Sequence, residues 1–177
     1  MLIGLTGLAG SGKSVVANVL TSEFGFTRVK FAGPLKNMLR TMLADAGFCE
    51  DDRERMLEGD LKEALIPELG VTARHLMVTL GTEWGRDCVQ KDIWLRLWAA
   101  QADRFDRVVV DDVRFPNEVD LIRRRGGEIW RIERPGLKAG GHVSEQLDAP
   151  ADLALVNDRT LEGLEATVRG LMARPCA

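Results

Sequence analysis

Leu2, Ile3 and Leu5 form an apolar run that stops at Gly7, which reads as a buried strand over 2–6. The period then changes. Val15, Val16, Val19, Leu20 and Phe24 share one side of a helix over 13–24. Residues 27–31 alternate, with Val29 and Phe31 inward, as a strand does. Pro34 suits a first helical turn; Leu35, Met38, Leu39, Met42, Leu43 and Ala46 follow at helical spacing, and Gly47 ends the helix. The charge-rich stretch 50–63 is weakly patterned and reads as an exposed helical insertion.

Thr72 is placed to cap a helix through Leu80, and Asp92 another through about Arg104. Val108, Val109 and Val110 read as a central buried strand. A short helix over 117–125 closes at Gly126 and Gly127, followed by a strand over 128–133 and a loop over 135–141. A last strand over 152–156 precedes a helix capped by Thr160 and carrying Leu161, Leu164, Val168 and Leu171. Strands alternating with helices predict an α/β fold, a parallel sheet covered on both faces. Such sheets bind ligands beyond the carboxyl ends of their strands. The loop after the first strand, Phe31 to Gly33, and Asp111 with Asp112 are therefore expected at one cleft.

That first loop carries chemistry. Gly7 to Ser14 reads G-x-x-x-x-G-K-S, the phosphate-binding P-loop, between a strand and a helix as the motif requires. Glycines let successive N–H groups turn toward phosphate oxygens. Lys13 adds positive charge near the β- and γ-phosphates, the Ser14 hydroxyl suits Mg²⁺, and the following helix aims its positive end at the same anion. A P-loop also needs a carboxylate to organise Mg²⁺, and Asp111 and Asp112 are the candidates. Strand alternation sends them to opposite sides, so one is expected to face the phosphates. Arg114, two residues on, projects with Asp112 if the chain stays extended.

Residues 72–87 place Arg74 at a helix start, with Glu83, Trp84, Arg86 and Asp87 just past its end. A ring flanked by a guanidinium and carboxylates suits a nucleobase and its phosphate. Spacing alone supports equally a core Trp84 among solvated charges. Trp98 reads as core, and His75 as a helix-surface or packing residue. Arg131, Arg134 and Lys138 flank the 135–141 loop, which reads equally as a mobile lid over phosphates or a solvated loop.

Composition narrows the partners. A net charge of −3 over 177 residues gives no bulk attraction to nucleic acid or anionic membrane. No apolar run approaches a membrane span of roughly 20 residues, and no signal peptide is expected. Cys49, Cys88 and Cys176 are odd in number and widely spaced, which fits a reducing cytosol.

Together these residues resemble the phage-type deoxynucleoside monophosphate kinases, a branch of the P-loop nucleoside monophosphate kinases. The matching pieces are the Gly7–Ser14 loop, Phe31-Ala32-Gly33-Pro34-Leu35-Lys36, Leu80-Gly81-Thr82-Glu83-Trp84-Gly85-Arg86 and Asp112-Val113-Arg114-Phe115-Pro116-Asn117-Glu118. His142-Val143-Ser144-Glu145 and Val156-Asn157-Asp158 also match. The resemblance implies a three-layer α/β/α P-loop kinase domain over 1–177 with a mostly parallel five-stranded sheet. A helical substrate-binding part falls at about 33–104 and a short lid-like loop at about 134–147.

The activity implied is transfer of the ATP γ-phosphoryl group to a deoxynucleoside monophosphate. Lys13, Asp112 and Arg114 are the implied catalytic residues. ATP falls to Ala9, Gly10, Ser11, Gly12, Lys13, Ser14 and Asn157, and Mg²⁺ to Ser14 and Asp112. The acceptor falls to Phe31, Lys36, Arg74, Glu83, Trp84, Arg86, Asp87 and Arg114. The implied partners are small nucleotides, with no nucleic acid and no membrane; a homodimer stays open. The implied setting is cytoplasmic, the host's if the chain is phage-encoded. Two alternatives share the P-loop: another small-molecule kinase, such as one for dephospho-coenzyme A, and a nucleotide-binding regulator without turnover.

Overall fold

The computed structural model describes residues 1–137, 150–158 and 160–173, and the chain divides into two compact units. The first comprises Met1–Lys30 and Gln101–Ala177, the second Phe31–Ala100.

The first unit is built on five strands, β1 (Leu2–Thr6), β2 (Thr27–Arg28), β5 (Val108–Val110), β6 (Glu128–Glu133) and β7 (Leu153–Val156). Their order is β2-β5-β1-β6-β7 and every pairing is parallel. The chain therefore builds on one side of β1 and then crosses to the other. Alternation along β1 separates two packed layers. Ile3 and Leu5 join Val16, Val19 and Leu20 of α1 (Lys13–Glu23) and Leu164 and Val168 of α7 (Leu161–Met172) in one core. Gly4 turns to the opposite face, toward Ile122 of α6 (Pro116–Arg124). This is the three-layer α/β/α fold expected from the sequence. Thr160 accepts from Gly163 N as the predicted cap, while Leu161 is exposed. The second strand is shorter than the 27–31 read from alternation, although Val29 N still donates to Val109 O at 3.0 Å.

The second unit holds α2 (Gly33–Asp45), α3 (Glu50–Leu57), the two-residue strands β3 (Leu65–Ile66) and β4 (Val71–Thr72), α4 (Ala73–Val78), a π-helical segment (Thr79–Val89) and most of α5 (Ile93–Ala102). Leu35, Leu39 and Leu43 of α2 enter its core, whereas Met38 and Met42 face outward. The charged stretch is not merely an exposed insertion. Its helix α3 buries Met56 and Leu57 against α2, which the periodicity hid because only these two apolar residues fall inside it. Its charges are also paired. Glu58, just past α3, meets Lys36 at 2.8 Å, and Arg40 lies against both Glu54 and Glu58. Arg40's hydrogen bonds and charge hold the Glu54 carboxyl below its ordinary value and raise the guanidinium. The antiparallel β3–β4 pair went unread, being too short for period two to show.

Two outcomes test this packing. Leu57→Ala lowers unfolding free energy by about 2–5 kcal/mol in denaturant titration, because it opens a cavity in a closed core. Met38→Ala, on an exposed face, costs under about 1 kcal/mol. Glu54 has a depressed folded-state pKa, so its contribution is complete above the unfolded pKa and is lost as pH falls through the folded value. Glu54→Gln should therefore flatten the fall in stability between about pH 6 and pH 3.

Candidate active site

The loop after β1 is held by its own backbone. Ser11 N donates to Leu8 O at 3.1 Å, and Gly12 accepts from Val15 and Val16 N as α1 begins. Gly7 adopts φ +138°, and a Cβ there would lie 2.3 Å from the Ile132 carbonyl oxygen, so no other residue fits. Lys13 Nζ donates to the carbonyls of Gly7 at 2.7 Å and Leu8 at 2.8 Å, placing its charge inside the loop. Asn157, just past β7, sits beneath: its buried side-chain amide donates to Ser11 O at 2.9 Å. Its place is that of a loop support.

A pocket of about 310 Å³ opens over this loop. It brings together Ala9, Ser11, Lys13, Asp111, Asp112, Arg114, Arg131 and Arg134, residues from three strand ends. Gly10, Gly12, Ser14 and Asn157 do not line it. Ser14 is exposed in the first turn of α1. Arg134 reaches the loop directly, donating to Gly10 O at 3.3 Å. Lys138, the third lid residue, lies outside the described residues, as do 142–145 and the lid-like loop from 138 on.

Asp111 and Asp112 both line the pocket. The reason is local: β5 ends at Val110, so strict alternation does not extend through Asp111 and Asp112. Asp111 is 8 % exposed and pairs with Arg28 at 3.5 Å. Its Oδ1 has no hydrogen-bond partner, and neither does the buried Oγ of Ser11. Arg28 also donates to Asn18 Oδ1 at 2.6 Å and Ser14 O at 3.4 Å, so one guanidinium joins the strand-end carboxylate to the start of α1.

Sequence reading passed over Arg28, which carried no motif. It also assigned no role to Glu118 within the matching segment. Glu118 is 3 % exposed, and its Oε2 accepts from Arg114 N at 2.7 Å and Phe115 N at 3.0 Å. A carboxylate three residues into α6 thus reaches back to its N-terminus and fixes the backbone that carries Arg114.

Apart from Arg114, the acceptor-side candidates belong to the second unit. Phe31 is buried, its ring 4.6 Å from that of Trp98, which is fully buried as expected. Lys36 is paired with Glu58, and Arg74 Nε donates to Glu63 at 2.9 Å. Trp84 is 44 % exposed, which excludes the core reading. Glu83, Trp84, Arg86 and Asp87 lie within the π-helical segment, not past a helix end: the helix capped by Thr72 continues from Thr79 through Val89 in wider turns.

Glu118→Ala strips the acceptor from two backbone N–H groups. It should cost about 1–3 kcal/mol by denaturant titration, and Glu118→Gln, which keeps a carbonyl oxygen, distinctly less.

The sequence model of the family Deoxynucleotide monophosphate kinase matches residues 59–168. A mimivirus protein, "Putative deoxynucleotide monophosphate kinase" from Acanthamoeba polyphaga mimivirus, is 31 % identical over 182 residues, covering 92 % of this chain and 91 % of that one. The "Deoxynucleotide monophosphate kinase" of Enterobacteria phage T4 is 28 % identical over 109 residues, covering 57 % of this chain and 45 % of that one. Among solved structures, TT1252 from Thermus thermophilus superposes with a TM-score of 0.54 at 20 % identity, covering 98 % of this chain and 96 % of that one, a likeness of fold. With its P-loop, its pocket at three strand ends and a match along most of its length, the chain belongs to the deoxynucleotide monophosphate kinase family.

Proposed function

We propose that this protein transfers the γ-phosphoryl group of ATP to a deoxynucleoside 5′-monophosphate, giving the deoxynucleoside diphosphate and ADP. The observation that carries the reading is one pocket in which Lys13 and the P-loop face Asp111, Asp112 and Arg114. A phosphate oxygen of the acceptor forms a bond to the γ-phosphorus as the bond to the β–γ bridging oxygen breaks, and ADP leaves with that electron pair. Such a step needs little covalent help; it needs alignment and neutralised charge. The loop amides and Lys13 hold the donor phosphates. Arg114, with its backbone fixed by Glu118, and Arg131 and Arg134 at the end of β6 supply further positive charge.

The donor set fits Mg²⁺. Asp111, Asp112, Ser11 and Ser14 offer only hard oxygens, and a buried Asp111 oxygen has no hydrogen-bond partner. No three metal-ligating side chains cluster among the described residues, so the ion depends on nucleotide phosphates as well, as Mg²⁺ sites commonly do. Ser14 and Asp112 are the proposed holders. When bound, Mg²⁺ neutralises charge on the phosphate oxygens.

On the acceptor side, Lys36, Arg74 and Arg86 meet the monophosphate, and Phe31, Glu83, Trp84 and Asp87 shape the base site. Among the described residues no helix is long and apolar enough to cross a membrane. A cytoplasm supplying ATP and Mg²⁺ is the proposed setting.

The test is ADP release from ATP and Mg²⁺ against a panel of deoxynucleoside and ribonucleoside monophosphates, dephospho-coenzyme A and no acceptor. Release dependent on deoxynucleoside monophosphates is expected. Release only with dephospho-coenzyme A would replace the substrate, and a flat panel beside measurable ATP binding would leave a non-catalytic binder. Lys13→Ala should lower kcat on the order of 100-fold. Asp112→Asn should weaken Mg²⁺-dependent turnover more than Asp111→Asn; the reverse order would give the metal to Asp111.

A further inference from the structure

The π-helical segment Thr79–Val89 is 11 residues long, whereas wide helical turns ordinarily occur singly and gather at functional sites. Side chains account for its opening. At its start the Thr79 hydroxyl donates to His75 O at 2.9 Å and Leu76 O at 3.2 Å. Two residues on, the Gly81 carbonyl accepts the indole N–H of Trp94 at 2.7 Å, in a buried hydrogen bond. Donors that take helix carbonyls compete with the regular ladder and loosen it. Gly85 then rests on the same indole: a Cβ there would lie 2.5 Å from Trp94 Cζ2 and 2.7 Å from Nε1. The segment is therefore seated on Trp94, which is 4 % exposed and fixed in the core of its unit.

Trp84 immediately precedes Gly85. Its ring lies 6.4 Å from that of Trp94 at an interplanar angle of 44°, within the range of favourable aromatic pairs, and it stays 44 % exposed. A large half-exposed ring backed by a buried one is a surface made for stacking. Glu83, Arg86 and Asp87 beside it offer hydrogen-bonding groups to a polar heterocycle.

We infer that Trp94 and Gly85 are positioning residues that hold Trp84 as the platform for the base of the acceptor. This rests on the proposed deoxynucleoside monophosphate kinase activity and adds the device that presents the base. Trp94 meets no substrate itself; it acts through Trp84. Its indole N–H fixes the pitch of the segment, and its face fixes the height of residue 85.

The test is steady-state kinetics on Trp84→Ala, Trp94→Phe and the double variant, with KM for the preferred deoxynucleoside monophosphate, KM for ATP and kcat all measured. Trp84→Ala should raise the acceptor KM about tenfold, the effect of losing one stacked base. Trp94→Phe keeps a ring in the core but loses the N–H to Gly81. It should raise the acceptor KM about threefold while kcat and the KM for ATP change less than about twofold. The double variant should match Trp84→Ala alone, because the second residue acts through the first. Gly85→Ala should follow Trp94→Phe in direction.

An unchanged acceptor KM in Trp94→Phe, effects that multiply in the double variant, or a fall in kcat with both KM values rising together would overturn the positioning role. If Trp84→Ala leaves the acceptor KM unmoved in an active kinase, the platform is wrong and the kinase stands. An absence of any acceptor-dependent ADP from the parent protein removes the reading on which the inference rests, and the inference with it.

Discussion

Everything at the nucleotide end of this molecule follows from the way β1 hands the chain to the P-loop beside β6. At Gly7 the backbone leaves the strand so close to Ile132 that the carbonyl oxygen there occupies the space of a side chain. That contact ties the loop to the neighbouring strand, and Asn157 ties it to the chain beyond the next one. The loop is thus held from outside as well as by its own turns, which is what pre-organised phosphate binding requires, since donors fixed before the anion arrives cost no reorganisation. The strand order serves the same end. Because β1 lies between β5 and β6, the residues leaving all three strands share one pocket: Lys13 from the loop, two carboxylates from one side, and arginines from the other.

The charges in that pocket are supported in turn. Asp111 would be costly to bury alone, and Arg28 from β2 offsets that cost while holding the start of α1. Glu118, equally buried, spends its carboxylate on two backbone N–H groups and so fixes the chain at Arg114. Neither residue is distinctive by type. Each matters through where the fold puts it.

That difference explains how far the sequence could be read. The P-loop, the β-branched run 108–110 and the strand 128–133 were legible because local pattern and global role coincide there. Glu128 to Glu133 begins and ends where the pattern places it. Legibility failed where tertiary contacts override local signals. Two apolar residues in a charged stretch gave no period, yet Met56 and Leu57 complete a core. Strict alternation does not extend through Asp111 and Asp112, because β5 ends one residue earlier. Arg28 could not be found at all without the sheet order, since its partner Asp111 is far along the chain and adjacent only through β2–β5 pairing.

The π-helical segment is the clearest case. The pattern ends the helix capped by Thr72 at Leu80, and Gly81 and Gly85 lie beyond that point. Both are buried; Gly81 accepts the Trp94 N–H at its carbonyl and Gly85 leaves room for the Trp94 ring, and these two contacts carry the segment onward. The information that keeps the chain helical therefore sits in another helix, outside any local window. The same arrangement gives Trp84 its place: the backbone on one side of it is pressed to the core, so the ring is turned partly outward yet cannot wander far. A single half-exposed tryptophan on a surface loop would lose much of its stacking energy to the cost of being ordered. Seated on a wide helical turn over a second indole, it has met part of that cost in folding, and more of the contact energy remains for a ligand.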